Sequence, residues 1–259
     1  MDSPLVITRG RRLTLALGVP LTLAVIVFVG TNLLSKVSRT TTAVDTSSAI
    51  QGTSLAIAVD EGDLTFVASG DNRVHVSGVA LSSFAPARLQ VSSSGGATAL
   101  RLLCAPLPGP CSLSARIAVP RGVRVTADER SGTIAASGLL AGASLSTDSG
   151  DIQVRGLGGD LNLTSNSGSV AGVGLSSPVT VVNEHSGDVS LRFAAVPGRV
   201  QVDDHSGDIS LTVPRQAYQV SAQSNYGSTS VGVTTNPSSR DVISALDDSG
   251  DIRIQPTRG

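Results

Sequence analysis

The tripeptide Ser-Gly-Asp, or a close variant of it, returns along the chain at intervals of 18 to 23 residues, carried by Gly132, Gly150, Gly168, Gly187, Gly207, Gly227 and Gly250. No other feature of the chain restricts its fold so much. A period of this length belongs to stacked β-coils. Two positions past each glycine stand Ile134, Ile152, Val170, Val189, Ile209, Thr229 and Ile252, and the fourth position is mostly apolar too, from Ala136 and Val154 to Leu211 and Ile254. The column between them holds Gln153, Ser190, Ser210 and Arg253. That alternation marks a strand with one face inward. It returns upstream, five and seven positions before the glycine, at residues such as Leu145, Val182, Leu161 and Val200.

Each rung is therefore expected to hold at least two short strands joined at a turn. Because one side-chain class recurs at each rung position, the expected packing sets successive rungs on one another ~4.8 Å apart, with parallel ladders along the stack. The fold class that follows is all-β: a single-stack parallel β-solenoid with 18 to 23 residues per rung. Residues 53 to 120 alternate less regularly around Gly62 and Gly70, and read as the irregular first part of the same domain, capping the stack. At the other end "DIRIQPTRG" is expected to stop the ladder, with Arg253, Pro256 and Arg258 blunting an edge strand.

The turn accounts for the motif. The residues two positions before the glycines include Asp148, Asn166, His185, His205, Asn225 and Asp248, and Asn, Asp and His are the non-glycine types that best tolerate positive φ. Directly after the glycine come Asp151, Asp188, Asp208 and Asp251, with Thr133, Ser169 and Ser228 in the remaining rungs. All are short acceptors, expected to hold backbone amides in Asx- or ST-type turns. These glycines and acids are read as structural turn residues.

The same corners also carry residue types capable of chemistry. The two "HSGD" strings contain the residue types of a Ser-His-Asp triad, yet Ser131, Ser149, Ser167 and Ser249 fill the same column in rungs that have no histidine. A triad requires one base aimed at one nucleophile. His185 and His205 together suggest a metal or a response to pH, against the simpler reading of compatible neighbours at one corner. Calcium-bound β-rolls use a denser nine-residue repeat. The "GLGG" at 156 to 159 is followed by strand alternation rather than the helix a phosphate loop needs. No catalytic, cofactor-binding or metal residue is assigned, and no cofactor is expected.

Before the repeats, residues 13 to 34 form an uncharged apolar run long enough to cross a ~30 Å hydrocarbon layer as one helix. Arg9, Arg11 and Arg12 precede it, against Lys36 and Arg39 after it, which places residues 1 to 12 in the cytoplasm. A cleaved signal peptide is the rival, although its apolar region is usually shorter. Residues 35 to 52, Ser/Thr-rich, read as a tether, and residues 53 to 259 as the exterior domain. The only cysteines, Cys104 and Cys111, bracket "APLPGP"; outside the membrane a disulfide closing this loop is expected, with two free thiols as the alternative.

Composition narrows the function classes. With 19 basic and 20 acidic residues there is no global field to recruit nucleic acid. Aromatics are 2%, which leaves little stacking surface for sugars or bases. The string "ARIAVPRGVRVTADERSGTI", the repeated "SGDI" and "SGDV" and the closing "DDSGDIRI" resemble the bacterial putative-adhesin domain of unknown function, over about residues 50 to 255. The resemblance implies a β-solenoid of the bacterial envelope, often behind a membrane anchor, and assigns no ligand. "NYGSTS", "SGTI" and "SGSV" depart from the pattern by lacking the acid. The expected function is a single-pass, membrane-anchored, non-enzymatic surface module that binds an envelope protein or polymer, or another copy through a ladder end. The alternative is a polysaccharide-acting lyase or hydrolase on the same architecture.

Overall fold

The structure, a computed structural model, describes residues 39–105 and 109–258. The expected cytoplasmic segment 1–12 and transmembrane segment 13–34 lie outside the described residues. Among the described residues no helix is long and apolar enough to cross a membrane, and all twenty regular elements are strands of one hydrogen-bonded network.

Its regular part is built of two parallel ladders that meet at the glycine corners. One contains the first half of β7 (Arg124–Ser137), then β8 (Ala143–Ser149), β10 (Leu161–Ser165), β12 (Val179–Glu184) and β14 (Arg199–Ser206). The other contains the second half of β7, then β9 (Ile152–Arg155), β11 (Val170–Leu175), β13 (Val189–Phe193) and β15 (Ile209–Val213). Register follows the repeat: Leu145 pairs with Ala127 and Leu163, and Val189 with Val170 and Ile209. The apolar columns read from the sequence are thereby stacked, and Leu163, Val182, Val202, Ile152, Val170 and Ile209 are all buried. A third side is closed by the return segments. There Gly158 donates to Leu139, Ser176 to Leu157 and Ala194 to Leu175 through the backbone, and the three leucines turn inward.

Rung order departs from chain order at the C-terminal end. The strands that follow β15 are β16 (Ala217–Ser224), β17 (Thr229–Val231), β18 (Thr234–Thr235), β19 (Val242–Ser249) and β20 (Ile252–Pro256). β14 pairs with β19, and β19 with β16; β15 pairs with β20, and β20 with β17. The last rung in sequence is thus inserted beneath the one before it. Hydrophobic burial explains the exchange: the inserted rung carries Ile243, Ala245, Ile252 and Ile254, all buried, whereas the terminal rung offers Val220, Ala222, Thr229 and Val231. Placing the more apolar rung inside removes more apolar surface from water. It follows that "DIRIQPTRG" does not close the ladder: β20 is paired on both sides over Ile252 to Ile254, so Arg253 stands between two rungs, while Pro256 pairs with Val213 alone.

The N-terminal part extends the stack and then caps it. β2 (Ser54–Ser69) runs parallel to β7 through the corner, so Gly62 lies against Gly132 as an eighth corner. Beyond it β5 (Ala97–Leu103) and β6 (Cys111–Pro120) pair parallel with β2. From there pairing turns antiparallel: β4 (Arg88–Ser94) on β5, β3 (Arg73–Ser83) on β6, and β1 (Arg39–Ala49) on β3. The expected tether is accordingly corrected, since Arg39 to Ala49 are a strand in full register with Ser83 to Arg73. Only Val44 of β1 is buried, so this edge strand shows no apolar alternation; its threonines favour extended backbone and its bonds are main-chain. Cys104 and Cys111 are joined in a disulfide, with Cα atoms 6.0 Å apart, at the foot of β6.

Candidate functional site

The repeated corner is the one place where polar side chains recur in every rung. Its glycines form a file. Gly150 adopts φ 150° and Gly187 φ 157°, values that side chains with a Cβ avoid. A Cβ on Gly187 would also overlap the carbonyl oxygen of Gly168, and one on Gly207 that of Gly187. The same contact links Gly250 to Gly207 and Gly227 to Gly250, in the exchanged rung order. Gly132 and Gly168 belong to the same positive-φ set, while Gly227 and Gly250 do not. The residues two positions upstream do not share the left-handed geometry expected of them. Among the described residues the only non-glycine with positive φ is Phe84.

The acid after the glycine reaches across rungs rather than closing a local turn. Asp63 accepts the N–H of Thr133 at 3.1 Å, Asp151 that of Ser169 at 2.8 Å, and Asp188 that of Asp208 at 2.9 Å. Asp208 accepts that of Asp251 at 2.9 Å, and Asp251 that of Ser228 at 2.8 Å. Each donor occupies the acceptor's own position one rung on. Where the sequence has Thr133 or Ser169 instead of an acid, the next amide, Asp151 or Asp188, has no such acceptor among the described residues. The bonds from the Ser228 amide and hydroxyl hold the exposed carboxyl of Asp251 below the usual carboxylate range.

Beneath the corner lies a column that sequence reading missed. Three positions before the glycine, Glu129, Thr147, Ser165, Glu184, Asp204 and Asp247 are all buried. The parity that made positions five and seven inward also applies to position three; polar residue types obscured it. The carboxyls of Glu184, Asp204 and Asp247 each accept a backbone N–H two residues on, from Ser186, Ser206 and Ser249. Both oxygens of Glu129, and the second oxygens of Glu184 and Asp204, have no partner among the described residues. Burial pushes Glu129 and Glu184 up to about 7, with Asp63 adding to the rise at Glu129, and it raises Asp204 and Asp247 as well.

The histidines lie outside. His185 and His205 stack with ring centroids 4.8 Å apart and planes within 2°, and His205 Nδ1 sits 2.7 Å from Asp248, which also accepts from Asn225. Ser186 and Ser206 offer their amides to the buried acids below, and neither hydroxyl is bonded to a histidine. No group of three or more His, Cys, Asp or Glu among the described residues is arranged to hold a metal ion.

Parallel rungs threaded on a glycine file, with their corner acids bonded to main-chain amides, define an all-β repeat domain. A profile of the Toastrack DUF4097 family matches residues 28–255, and the chain belongs to that family. This agrees with the resemblance to bacterial adhesin-type domains. Among solved structures, the chain is similar to a putative cell adhesion protein from Clostridium sporogenes, at 10% identity and a TM-score of 0.41, over 83% of this chain and 100% of that one. It is also similar to a putative adhesin from Bacteroides fragilis, at 11% identity and a TM-score of 0.37, over 82% and 97%. No curated protein matches the sequence.

Proposed function

We propose that this chain is a membrane-anchored, extracytoplasmic β-solenoid module that binds an envelope protein or polymer and performs no catalysis. One observation carries the reading: each corner aspartate, the residue type most suggestive of a catalytic row, has its Oδ1 held by a backbone amide of the neighbouring rung. The main chain thereby fixes the direction of each carboxylate along the stack. What remains for recognition is the outward face of the strands and the ends of the stack. The apolar run at 13 to 34 and the arginines before it support an anchor with the domain outside.

The test is turnover of cell-wall glycans by the full chain in detergent, alongside capture of partners from envelope extracts. The expected result is no release of reducing ends or unsaturated sugars, and retention of an envelope component. Release that disappears when one carboxylate is changed to its amide would establish the lyase or hydrolase reading instead.

A further inference from the structure

The stack ends in an open strand with unusual chemistry. β16 is bonded to β19 on one side, as in the Gln219 N–H to Asp241 C=O contact of 2.8 Å. On its other side only the first two residues are covered, by β18, with Asn236 N–H donating to Tyr218 C=O at 2.8 Å. In a parallel ladder successive residues turn their N–H and C=O to alternate sides. Gln219, Ser221 and Gln223 therefore face β19, and the main-chain groups of Val220, Ala222 and Ser224 face outward. No strand among the described residues pairs with them. The side chains of the core column are uncovered here as well: Val220 and Ala222 are half-buried and Val231 is 38% exposed, where Leu191 and Leu211 deeper in the stack are buried.

Edge strands are ordinarily blunted by charge or proline. The other open strands follow the rule, β1 with Arg39 and Asp45 and β4 with Arg88. The terminal rung does not. Residues 216 to 239 contain no Asp, Glu, Lys or Arg, their one proline, Pro237, lies past β18 rather than in a strand, and Arg253 of β20 stands between two rungs through the exchange.

We propose that the open edge of β16 is a homotypic docking strand, across which two copies of this chain pair antiparallel about a two-fold axis at Ser221. Ser221 then lies opposite itself, Val220 opposite Ala222, and Gln219 opposite Gln223. The parity fits, because Val220 and Ala222 are the residues whose outward N–H and C=O must face each other in such a pair. An uncharged strand provides no field to select a charged partner and meets its own copy without like-charge repulsion. β18 limits the contact to the stretch centred near Ser221, and an isologous pair uses up the edge of both copies, so association closes at two. This inference rests on the reading of the domain as a binding module.

The experiment uses the full chain in detergent, with Ser221→Cys as the reporter and Ser92→Cys on exposed β4 as the control. Residues facing each other in a non-hydrogen-bonded antiparallel pair have Cα atoms ~4.5 Å apart, within disulfide reach. Expected are a sedimenting protein mass twice that of one chain, and an oxidised dimer of Ser221→Cys far in excess of the control. Gln219→Lys/Gln223→Lys and Gln219→Glu/Gln223→Glu should each halve the mass while keeping the wild-type melting temperature, and mixing the two should restore the pair. A one-chain mass across a dilution series, Ser221→Cys crosslinking no better than Ser92→Cys, or its crosslinking to a different envelope protein would each overturn the proposal. Glycan turnover would sink the functional reading and leave this result legible on its own.

Discussion

The carboxylate of Asp188 accepts the backbone N–H of Asp208 from the neighbouring rung at 2.9 Å. Asp208 does the same for Asp251, and Asp251 for Ser228, so three acids in one column are each tied to the strand beyond. Like charges at this spacing repel by about 1 kcal/mol in water, and a charge-assisted bond to an amide offsets that. Each acid in the column is thereby matched to a donor.

Replacing Asp208 by alanine should lower unfolding free energy by about 1.5–3 kcal/mol, the range for losing one hydrogen bond to a charged acceptor. Asp208→Asn keeps an acceptor oxygen and should lose less. Urea denaturation of both variants gives the comparison; an alanine variant as stable as wild type would mean that the clamp contributes nothing.

Gly187→Ala combines a disallowed φ with overlap on the Gly168 carbonyl, and should destabilise by roughly 3 kcal/mol or more or prevent folding. Gly70 has open space around its missing Cβ. Gly70→Ala should stay within about 0.5 kcal/mol of wild type. Similar losses at both positions in thermal melts would contradict the close-packed file.

The buried acids set the pH dependence. With Glu129 and Glu184 raised to about 7, the folded state holds protons that the unfolded chain releases above its ordinary value near 4.5. Their contribution is fully present below 4.5, falls as pH rises toward 7, and is constant beyond. For Glu129 the span is roughly 3 kcal/mol as an order of magnitude. The domain should therefore melt higher at pH 5 than at pH 8, and Glu129→Gln should flatten that slope. A wild-type melting temperature that rises from pH 5 to pH 8 would have the wrong sign.

Ending the chain after Ser249 removes β20, and with it Ile252 and Ile254 from beneath the terminal rung. If rungs were stacked in chain order, this would only fray an end. In the exchanged order β17 loses its partner strand, and the loss should be roughly 5 kcal/mol or more, with thermolysin cutting inside residues 216–239. Resistance of that segment in the truncated protein would restore the simple order.

Much of this was readable from spacing. The glycine period and the inward columns at Ile152, Val170, Val182 and Ile209 gave strand positions and register, because a repeated side-chain class leaves few alternatives to stacking. What escaped had a physical reason in each case. β1 has a single buried side chain, Val44, so a strand held by main-chain bonds looked like a tether. The exchange of the last two rungs turns on a modest difference in apolarity between Ile243, Ile252 and Ile254 and Val220, Thr229 and Val231. Glu129, Glu184 and Asp204 were inward by parity, and their charge concealed it. The aspartates reach the next rung rather than their own turn, a distinction that spacing along the chain does not contain.

Native-state hydrogen exchange of the corner amides tests the cross-rung clamp most directly. The account predicts slow exchange at Thr133, Ser169, Asp208, Asp251 and Ser228, whose N–H groups are held by an acid of the adjoining rung, and fast exchange at Asp151 and Asp188, which face threonine or serine there. Equal protection at all seven positions, or fast exchange throughout, would contradict it.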